Sequence, residues 1–290
     1  MNRNSRLQGT GGWAASRARV CSICVIGALA SAMPGWAFAA GDEKLPQIPP
    51  STIVPGQPLG ALSKENLAKH RLKAPFDLTG NWMFSPAMNA ENGMFDYLPA
   101  PKLTPAAKAI YDASIAAMTS GKNYKNDEAL CWPAGMPESM TRVWPNQTIQ
   151  LPTVIIMTQM LKHEIRWIYL DGRPHGDPDI KPPSYSGDSI GHFEGDTLVV
   201  ETVNLQPKRH WIMTGIPAGP KLKIVEKIKL KGGGKILEDT FTMTDPDNWE
   251  GEWVNTKYWY RYDDADAEEA FCLPDINDNL LSTRDESNVR

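Results

Sequence analysis

Apolar and polar residues alternate through most of the chain beyond residue 148, and a period of two is the pattern of β-strands. The clearest case runs from Leu222 to Leu230, where Ile224 and Ile228 share the face that Glu226 interrupts. Lysines occupy most of the opposite face. The alternation therefore predicts a strand with one buried face and one solvated face.

Comparable runs recur about every ten residues, with turn residues between them. The predicted strands are Phe76–Phe84, Ile149–Met160, Glu164–Leu170, Ser189–Phe193, Thr197–Leu205, Leu222–Leu230, Ile236–Thr244 and Glu252–Tyr262. Asp171 with Gly172, and the segment Glu194–Asp196, give turn signals typical of hairpins. We expect Ser189–Phe193 and Thr197–Val203 to pair antiparallel around the second turn. These elements predict a mainly β domain, an antiparallel barrel or sandwich, and a calycin or lipocalin-like barrel is one form of that class.

One or two helices are predicted before most of the strands. Thr104 is a typical N-cap residue, Pro105 suits the first helical position, and Gly121 marks the stop of an alanine-rich run. The apolar side chains of this helix predict a packing face made of Ala109, Ile110, Ala113, Ala117 and Met118. Ser63 can cap a shorter helix over residues 63–71.

The N-terminal segment 1–39 has the features of a signal peptide. Four arginines and no acidic residue accompany an apolar stretch from Val20 to Met33, which is short for a membrane span. Ala37 and Ala39 supply the small residues of a cleavage site. We therefore expect a periplasmic or secreted protein, with an uncleaved anchor as the alternative.

The remaining chain divides into three parts. Residues 40–75 are rich in proline and predict an extended arm. Residues 76–275 contain the predicted strands and are expected to form a single β-rich domain. Residues 276–290 are polar and predict a mobile tail.

Net charge narrows the class of partner. The full chain has 30 basic and 34 acidic residues, and removal of four arginines with the signal segment leaves 26 against 34, a net charge of −8. An acidic chain without a long basic run is a poor binder of nucleic acid. No later apolar run approaches the ~18 residues of a membrane helix. We predict a small apolar or aromatic molecule as the partner, and we leave the oligomeric state open.

Two cysteines remain after the predicted cleavage, Cys131 and Cys272. An exported protein with two cysteines favours one disulfide, and two free buried thiols are the alternative.

Chemistry-bearing residues are concentrated between Arg166 and Asn204. His192 shares a predicted strand face with Asp188, and Glu201 interrupts an apolar strand face on the other arm of the hairpin. A carboxylate that meets an imidazole makes an acid–base pair. We predict His192, His175 and Glu201 as catalytic residues around one cavity; a surface or core histidine and a solvent-facing acid are the alternatives.

A second group of side chains is predicted to contact the substrate. Arg173 can bind an anionic group at the rim of the cavity, or it can pair with Asp171 or Glu194 and fix the two turns. Aromatic side chains can form the walls of a pocket. The candidate substrate-binding residues are Arg173, Tyr169, Asp171, Tyr185, His210 and Trp211.

Motifs of several enzyme classes are absent from the sequence. The chain has no Gly-x-Ser-x-Gly, no phosphate-binding glycine loop before a helix and no His-Glu-x-x-His. The 17- and 18-residue spacings between His175, His192 and His210 carry no metal-site signature. We therefore predict no cofactor and no metal.

Several segments resemble a large group of exported bacterial proteins of unknown function. The resemblance covers about residues 76–273, and the segments that carry it are Asp77–Trp82, Leu103–Pro105, Cys131–Pro137, Ile165–His175 and Ser189–Thr202. Members usually carry a segment of the form His-Ser-Asp-x-Leu, where this chain has Ile216–Leu222. The resemblance implies export, a β-rich fold and pairing of Cys131 with Cys272, and it implies no reaction.

These features support two principal hypotheses of function. The first is an exported, cofactor-independent hydrolase, lyase or isomerase that uses histidine and carboxylate chemistry on a partly apolar molecule in a barrel pocket. The alternative is a non-catalytic carrier of an apolar or aromatic ligand. The surroundings of Glu201 discriminate between them, because catalysis requires its carboxylate to lie near an imidazole inside a cavity. An assembly factor is a third class, and it requires a large exposed apolar patch.

Overall fold

Nine strands of the described residues hydrogen-bond into one closed barrel. The computed structural model describes residues 57–120, 130–160, 162, 164–264, 266, 268, 270 and 272. The predicted signal segment, the arm before residue 57 and the C-terminal tail lie outside the described residues. The prediction of a mainly β barrel is confirmed, and the sandwich alternative is wrong because the first two strands pair and close the sheet.

The strands are β1 Gly80–Phe84, β2 Asn146–Gln150, β3 Val154–Gln159, β4 Ile165–Tyr169, β5 Asp188–Glu194, β6 Thr197–Val203, β7 Trp211–Met213, β8 Ile216–Pro217, β9 Lys223–Lys231, β10 Ile236–Thr244 and β11 Trp253–Arg261. Their order around the barrel is β1, β11, β10, β9, β6, β5, β4, β3, β2. β7 and β8 form a separate two-stranded sheet. Neighbouring barrel strands are antiparallel except β4 and β5, which are parallel.

The predicted hairpin of β5 and β6 is confirmed, with Ile190 opposite Glu201 and His192 opposite Val199. Two other predictions near it are wrong. The run Ile149–Met160 holds two strands, because Pro152 lacks a backbone N–H and falls in the turn between them. The turn at Asp171 does not make a hairpin, because parallel strands need a crossover, and residues 170–187 provide it.

Every second residue of the barrel strands faces the interior, which we call the lumen. In β9 the inward residues are Ile224, Glu226, Ile228 and Leu230, as the alternation predicts. Apolar side chains dominate the lumen and form the core, together with the sheet of β7 and β8. The core therefore lies inside the barrel, and the outer wall carries most of the charged side chains.

The two ends of the barrel differ. Short turns at 151–153, 195–196 and 232–235 form one end, which we call the short-turn end. Longer connections cover the other end, where Lys257 donates to the carbonyl oxygens of Asn92, Met94 and Asp96 at 2.5–2.9 Å. The hydroxyl of Tyr97 donates to the carbonyl of Pro137 at 2.8 Å. These bonds tie two covering segments to each other and to β11.

The helices are α1 Lys64–Ala68 and α2 Pro105–Thr119, and the predicted N-caps Ser63 and Thr104 both accept backbone hydrogen bonds. The predicted packing face of α2 is wrong. Ala107 is buried, whereas Ile110 and Met118 are 42% and 45% exposed. Helix α2 packs where its side chains are small, since a Cβ on Gly215 would lie 2.9 Å from that of Ser114.

The described part of the N-terminal arm lies against the barrel. Thr153 donates to the carbonyl of Ala61 at 2.7 Å, and Asn66 donates to Asp171 at 2.8 Å. The predicted disulfide between Cys131 and Cys272 is present and closes a loop over a sequence separation of 141. No helix of the described residues is long and apolar enough to cross a membrane.

Candidate functional site

His175 and Glu201 come together, as predicted, but on the outer wall of the barrel. The crossover 170–187 places His175 with Nδ1 3.2 Å from Asp188 and Nε2 3.3 Å from Glu201. The second contact lacks hydrogen-bond geometry, and Nε2 is buried. Lys223 also contacts Glu201 at 2.6 Å. We call His175, Asp188, Glu201, Lys181 and Lys223 the outer-wall cluster.

Neighbouring lysines lower the pKa values of the two carboxyl groups in the outer-wall cluster. The hydrogen bond from Lys223 holds the pKa of Glu201 below its ordinary value, against a smaller effect of burial. Burial raises the pKa of Asp188, but hydrogen bonds from Lys181 and the Gly176 N–H outweigh it, so the pKa is lowered. Both groups are therefore carboxylates at neutral pH.

His192 does not join the other two predicted catalytic residues. Its side chain is 65% exposed, and its Nε2 lies 2.9 Å from Glu194. The prediction that His175, His192 and Glu201 line a barrel pocket is wrong. Leu198, Val200 and Thr202 are the buried, inward residues of β6, so Glu201 points outward with its partner across β5.

Arg173 fixes the N-terminal arm instead of lying at the rim of a cavity. Its guanidinium donates to Asp171 at 2.6 and 2.8 Å and to the carbonyl of Leu59 at 2.9 Å, and it stacks on Tyr169 at 4.1 Å. Hydrogen bonding to Arg173 lowers the pKa of Asp171 to about 2. Arg173 therefore pairs with Asp171, which was the alternative to binding an anionic group. Tyr169 lies on the outer wall beneath them.

The other predicted substrate contacts lie near the covered end. His210 is buried, and its Nδ1 donates to the carbonyl of Gln206 at 2.8 Å. Burial lowers the pKa of His210 to about 4, so its imidazole is neutral at pH 7. The ring of Tyr185 packs edge-on against His210 at 5.8 Å, and Trp211 begins β7. These residues form a packed corner, apart from the outer-wall cluster.

A charged cluster inside the lumen was not predicted from the sequence. Arg166 spans from β4 to Glu226 on β9 in a two-fold ion pair, with one contact at 2.8 Å. Two further donors reach Ser189 at 3.3 Å and Thr202 at 2.9 Å. Asp239 on β10 completes the group, which we call the lumen cluster. Glu226 and Asp239 have no solvent exposure.

Asp239 lacks a hydrogen-bond donor within the described residues: neither carboxylate oxygen is within reach of one. Burial raises its pKa well above the ordinary value, and the charge of Glu226 raises it further. A protonated Asp239 can donate to Glu226, which leaves one oxygen free to accept. The lumen cluster therefore holds two carboxyl groups for one guanidinium.

Further inward polar atoms in the described part of the chain lack partners. They are Oδ1 of Asn146, Oγ1 of Thr148, Oδ1 of Asn255 and the indole nitrogen of Trp253, all buried. Buried polar atoms are normally hydrogen-bonded, by protein, ordered water or ligand. Ordered water or a ligand inside the barrel can supply the partner that these inward atoms lack.

An apolar group of side chains lies at the short-turn end of the lumen. It is formed by Phe76, Leu170, Phe193 and Leu230, which are half-buried and pack against the core. Phe76 meets Phe193 edge-on at 5.3 Å. We call this group the mouth.

The sequence does contain a pattern that could have identified the acidic residues of the lumen cluster. Glu226 interrupts the apolar face of β9, and Asp239 sits between the buried side chains of Leu237 and Phe241 on β10. The argument that selected Glu201, a charge on an apolar strand face, applies equally to them. The signal identifies such a charge, but only the register shows which wall it faces.

The outer wall also carries exposed apolar side chains. Ile149 and Ile156 are opposite one another on β2 and β3, and Trp167 follows on β4. Ile149 is 45% exposed and Trp167 is 37% exposed. Within the described part of the chain, no group of three or more histidine, cysteine or acidic side chains is arranged to hold a metal ion.

Comparison with known proteins assigns this chain to no family. No family model matches the chain, and neither does any curated protein. Among solved structures, the wild-type fluorescent protein UnaG is 12% identical with a TM-score of 0.30, covering 64% of this chain and 97% of its own. A secretary abundant heat soluble protein from Ramazzottius varieornatus is 12% identical with a TM-score of 0.29, covering 64% and 95%. These values carry no inference about ligand or activity.

Proposed function

We propose that this chain is a binding protein that holds a small apolar or aromatic molecule inside its barrel. The observation that carries the proposal is the set of buried, inward polar atoms without a hydrogen-bond donor among the described residues, above all the Asp239 carboxylate. Barrels of about eight strands or more have room for side chains or one small ligand. A pocket with apolar walls and a few oriented polar groups is typical of such sites.

The mouth supports the same proposal. Its side chains, including Leu170, Phe193 and Leu230, leave apolar surface half-buried at the short-turn end. Aromatic side chains line the deeper lumen, where Tyr97 packs edge-on against Phe241 at 5.5 Å. An apolar ligand that enters through the mouth exchanges water for such surface at about 25 cal/mol per Å². If segment 1–39 directs export, the ligand is met outside the cytoplasm.

The proposal predicts that charge at the mouth weakens binding. N-Phenyl-1-naphthylamine, a neutral aromatic probe that fluoresces in apolar surroundings, should bind the native protein. Phe193→Glu should weaken its affinity by at least about tenfold, because an inward carboxylate must be desolvated. The neighbouring substitution His192→Glu points outward and should leave the affinity unchanged. Equal effects of the two variants, or no binding by the native protein, would contradict the proposal.

Acid–base catalysis on the outer wall is the second candidate. It is favoured by the position of His175 between Asp188 and Glu201. A general base needs a ring nitrogen within reach of the substrate, however, and in His175 each nitrogen faces a carboxylate. Binding is therefore the better-supported function.

The catalytic candidate has its own expected result. If the outer wall hydrolyses esters, His175→Gln should lower turnover of 4-nitrophenyl acetate by about two to four orders of magnitude. His192→Gln, in which the same substitution is made on the exposed histidine, should retain turnover. Identical rates in the two variants and the native protein would eliminate this function.

A further inference from the structure

The charges of the lumen cluster do not balance. Glu226 takes two of the hydrogen bonds of Arg166, and Ser189 and Thr202 take others. These hydrogen bonds hold the guanidinium on Glu226 and the two hydroxyl groups, and none of them reaches Asp239 beside the pair.

The other nearby charged and titratable groups of the described residues do not donate to Asp239 either. Lys257 is opposite Asp239 in the strand register, but its ammonium already donates to three carbonyl oxygens. Those bonds use all three of its hydrogens. Tyr97, which faces the same region, donates its hydroxyl proton to Pro137. Glu226 adds negative charge.

Aromatic rings lie next to the lumen cluster. Phe241 is opposite Glu226 in the register of β9 and β10, and Tyr97 packs against Phe241. The face of an aromatic ring attracts a cation electrostatically. Carboxyl groups and aromatic rings together are the surroundings that an organic ammonium group prefers.

We propose that the lumen cluster recognises an organic cation, an amine on an apolar or aromatic body, with the Asp239 carboxylate as its counterion. This inference rests on the proposed binding function and names the chemical class of its ligand. In the free protein a proton neutralises Asp239. On binding, the O–H bond of Asp239 breaks, the proton passes to solvent, and the ligand ammonium takes its place beside the carboxylate.

Proton release gives the proposal a thermodynamic signature. One proton should leave for each amine that binds protein with Asp239 protonated, so the apparent affinity for the amine should rise by up to tenfold per pH unit below the raised pKa of Asp239. A neutral ligand should show no such slope. Between the ordinary pKa of an aspartate and the raised pKa in the folded protein, Asp239 holds a proton only in the folded state, so the free protein becomes less stable as the pH rises through this range.

The test compares three ligands that share one ring system. 1-Naphthylmethylamine, 1-naphthylmethanol and 1-naphthoic acid should be titrated against native protein loaded with N-phenyl-1-naphthylamine. The amine should displace the probe at least tenfold better than the acid. Calorimetry in buffers of different ionisation enthalpy should find about one proton released with the amine and none with the alcohol.

Two variants assign the effect to Asp239. Asp239→Asn keeps the shape of the side chain and removes its charge. This variant should abolish proton release and weaken the affinity for the amine at least tenfold, while the affinity for the alcohol changes less than threefold. Glu238→Gln makes the equivalent change on the outward side of the same strand and should alter neither. Thermal unfolding checks that both variants fold.

The possible failures are distinguishable. If the probe binds but the amine and the acid displace it equally, or if Asp239→Asn keeps the preference for the amine, the inference is wrong and the binding function stands. If the native protein binds neither the probe nor any of the three naphthyl compounds, the binding function is wrong and the inference fails with it.

Discussion

Arg166→Met should lower the free energy of unfolding by about 3–5 kcal/mol, because it leaves Glu226 buried without its counterion. Arg166 and Glu226 are 4% and 0% exposed, so water cannot compensate. For a domain of this size the loss corresponds to a fall in Tm of about 6–20 °C. Urea denaturation followed by tryptophan fluorescence measures the change.

The matched control is Arg173→Met, which removes an arginine that also pairs with an aspartate but lies on the outer wall. Its effect should be smaller, about 1–2 kcal/mol, because the Asp171 carboxylate keeps the hydrogen bond from Asn66. A triple variant that adds Glu226→Gln and Asp239→Asn to Arg166→Met should recover much of the loss, since no buried charge remains. A loss below about 1 kcal/mol for Arg166→Met alone would refute the view that this pair is sealed inside the barrel.

Replacement of both cysteines by serine, Cys131→Ser with Cys272→Ser, should destabilise the protein by about 5 kcal/mol. The disulfide closes a loop over a sequence separation of 141, and chain entropy gives this magnitude for a loop of that length. Urea denaturation of oxidised native protein and of the variant measures the difference. Thiol titration of unfolded, non-reduced protein without residues 1–39, which carry Cys21 and Cys24, should find no free thiol, whereas two reactive thiols would show that the disulfide does not form.

Much of the fold was predictable because local patterns agree with the final structure. Alternation in Leu222–Leu230 specifies both the strand β9 and its inward face. The turn residues around Gly195 specify the hairpin of β5 and β6. Thr104 and Pro105 specify the start of α2. Each of these features depends on neighbours in sequence, which a single chain displays directly.

The predictions that were wrong concern features that depend on contacts between distant parts of the chain. The packing face of α2 is set by close approach to Gly215, about 100 residues away, and not by the hydrophobicity of Ile110. The parallel pairing of β4 with β5 turns the segment after Asp171 into a crossover. That crossover brings His175 to Glu201, and this contact was predicted correctly although the wall it lies on was not.

In the candidate site, too, local patterns predicted some features and contacts between distant segments determined the others. A period of two separates the faces of a strand, but it does not say which face is inward when both carry charge. On β6 the buried side chains of Val200 and Thr202 fix Glu201 outward. On β9 the lysines of the opposite face fix Glu226 inward. Because Arg166, Glu226 and Asp239 are charged residues that lie inside the barrel, the proposed binding site is formed by them and not by the predicted histidines.

A crystal structure of the native protein with 1-naphthylmethylamine is the most direct test of ligand binding inside the barrel. We expect the naphthyl ring in the lumen, between the mouth and the lumen cluster, with the ammonium nitrogen about 3 Å from a carboxylate oxygen of Asp239. Density for the ligand only on the outer wall, beside His175 and Glu201, or a lumen that excludes the amine at saturating concentration, would contradict the account.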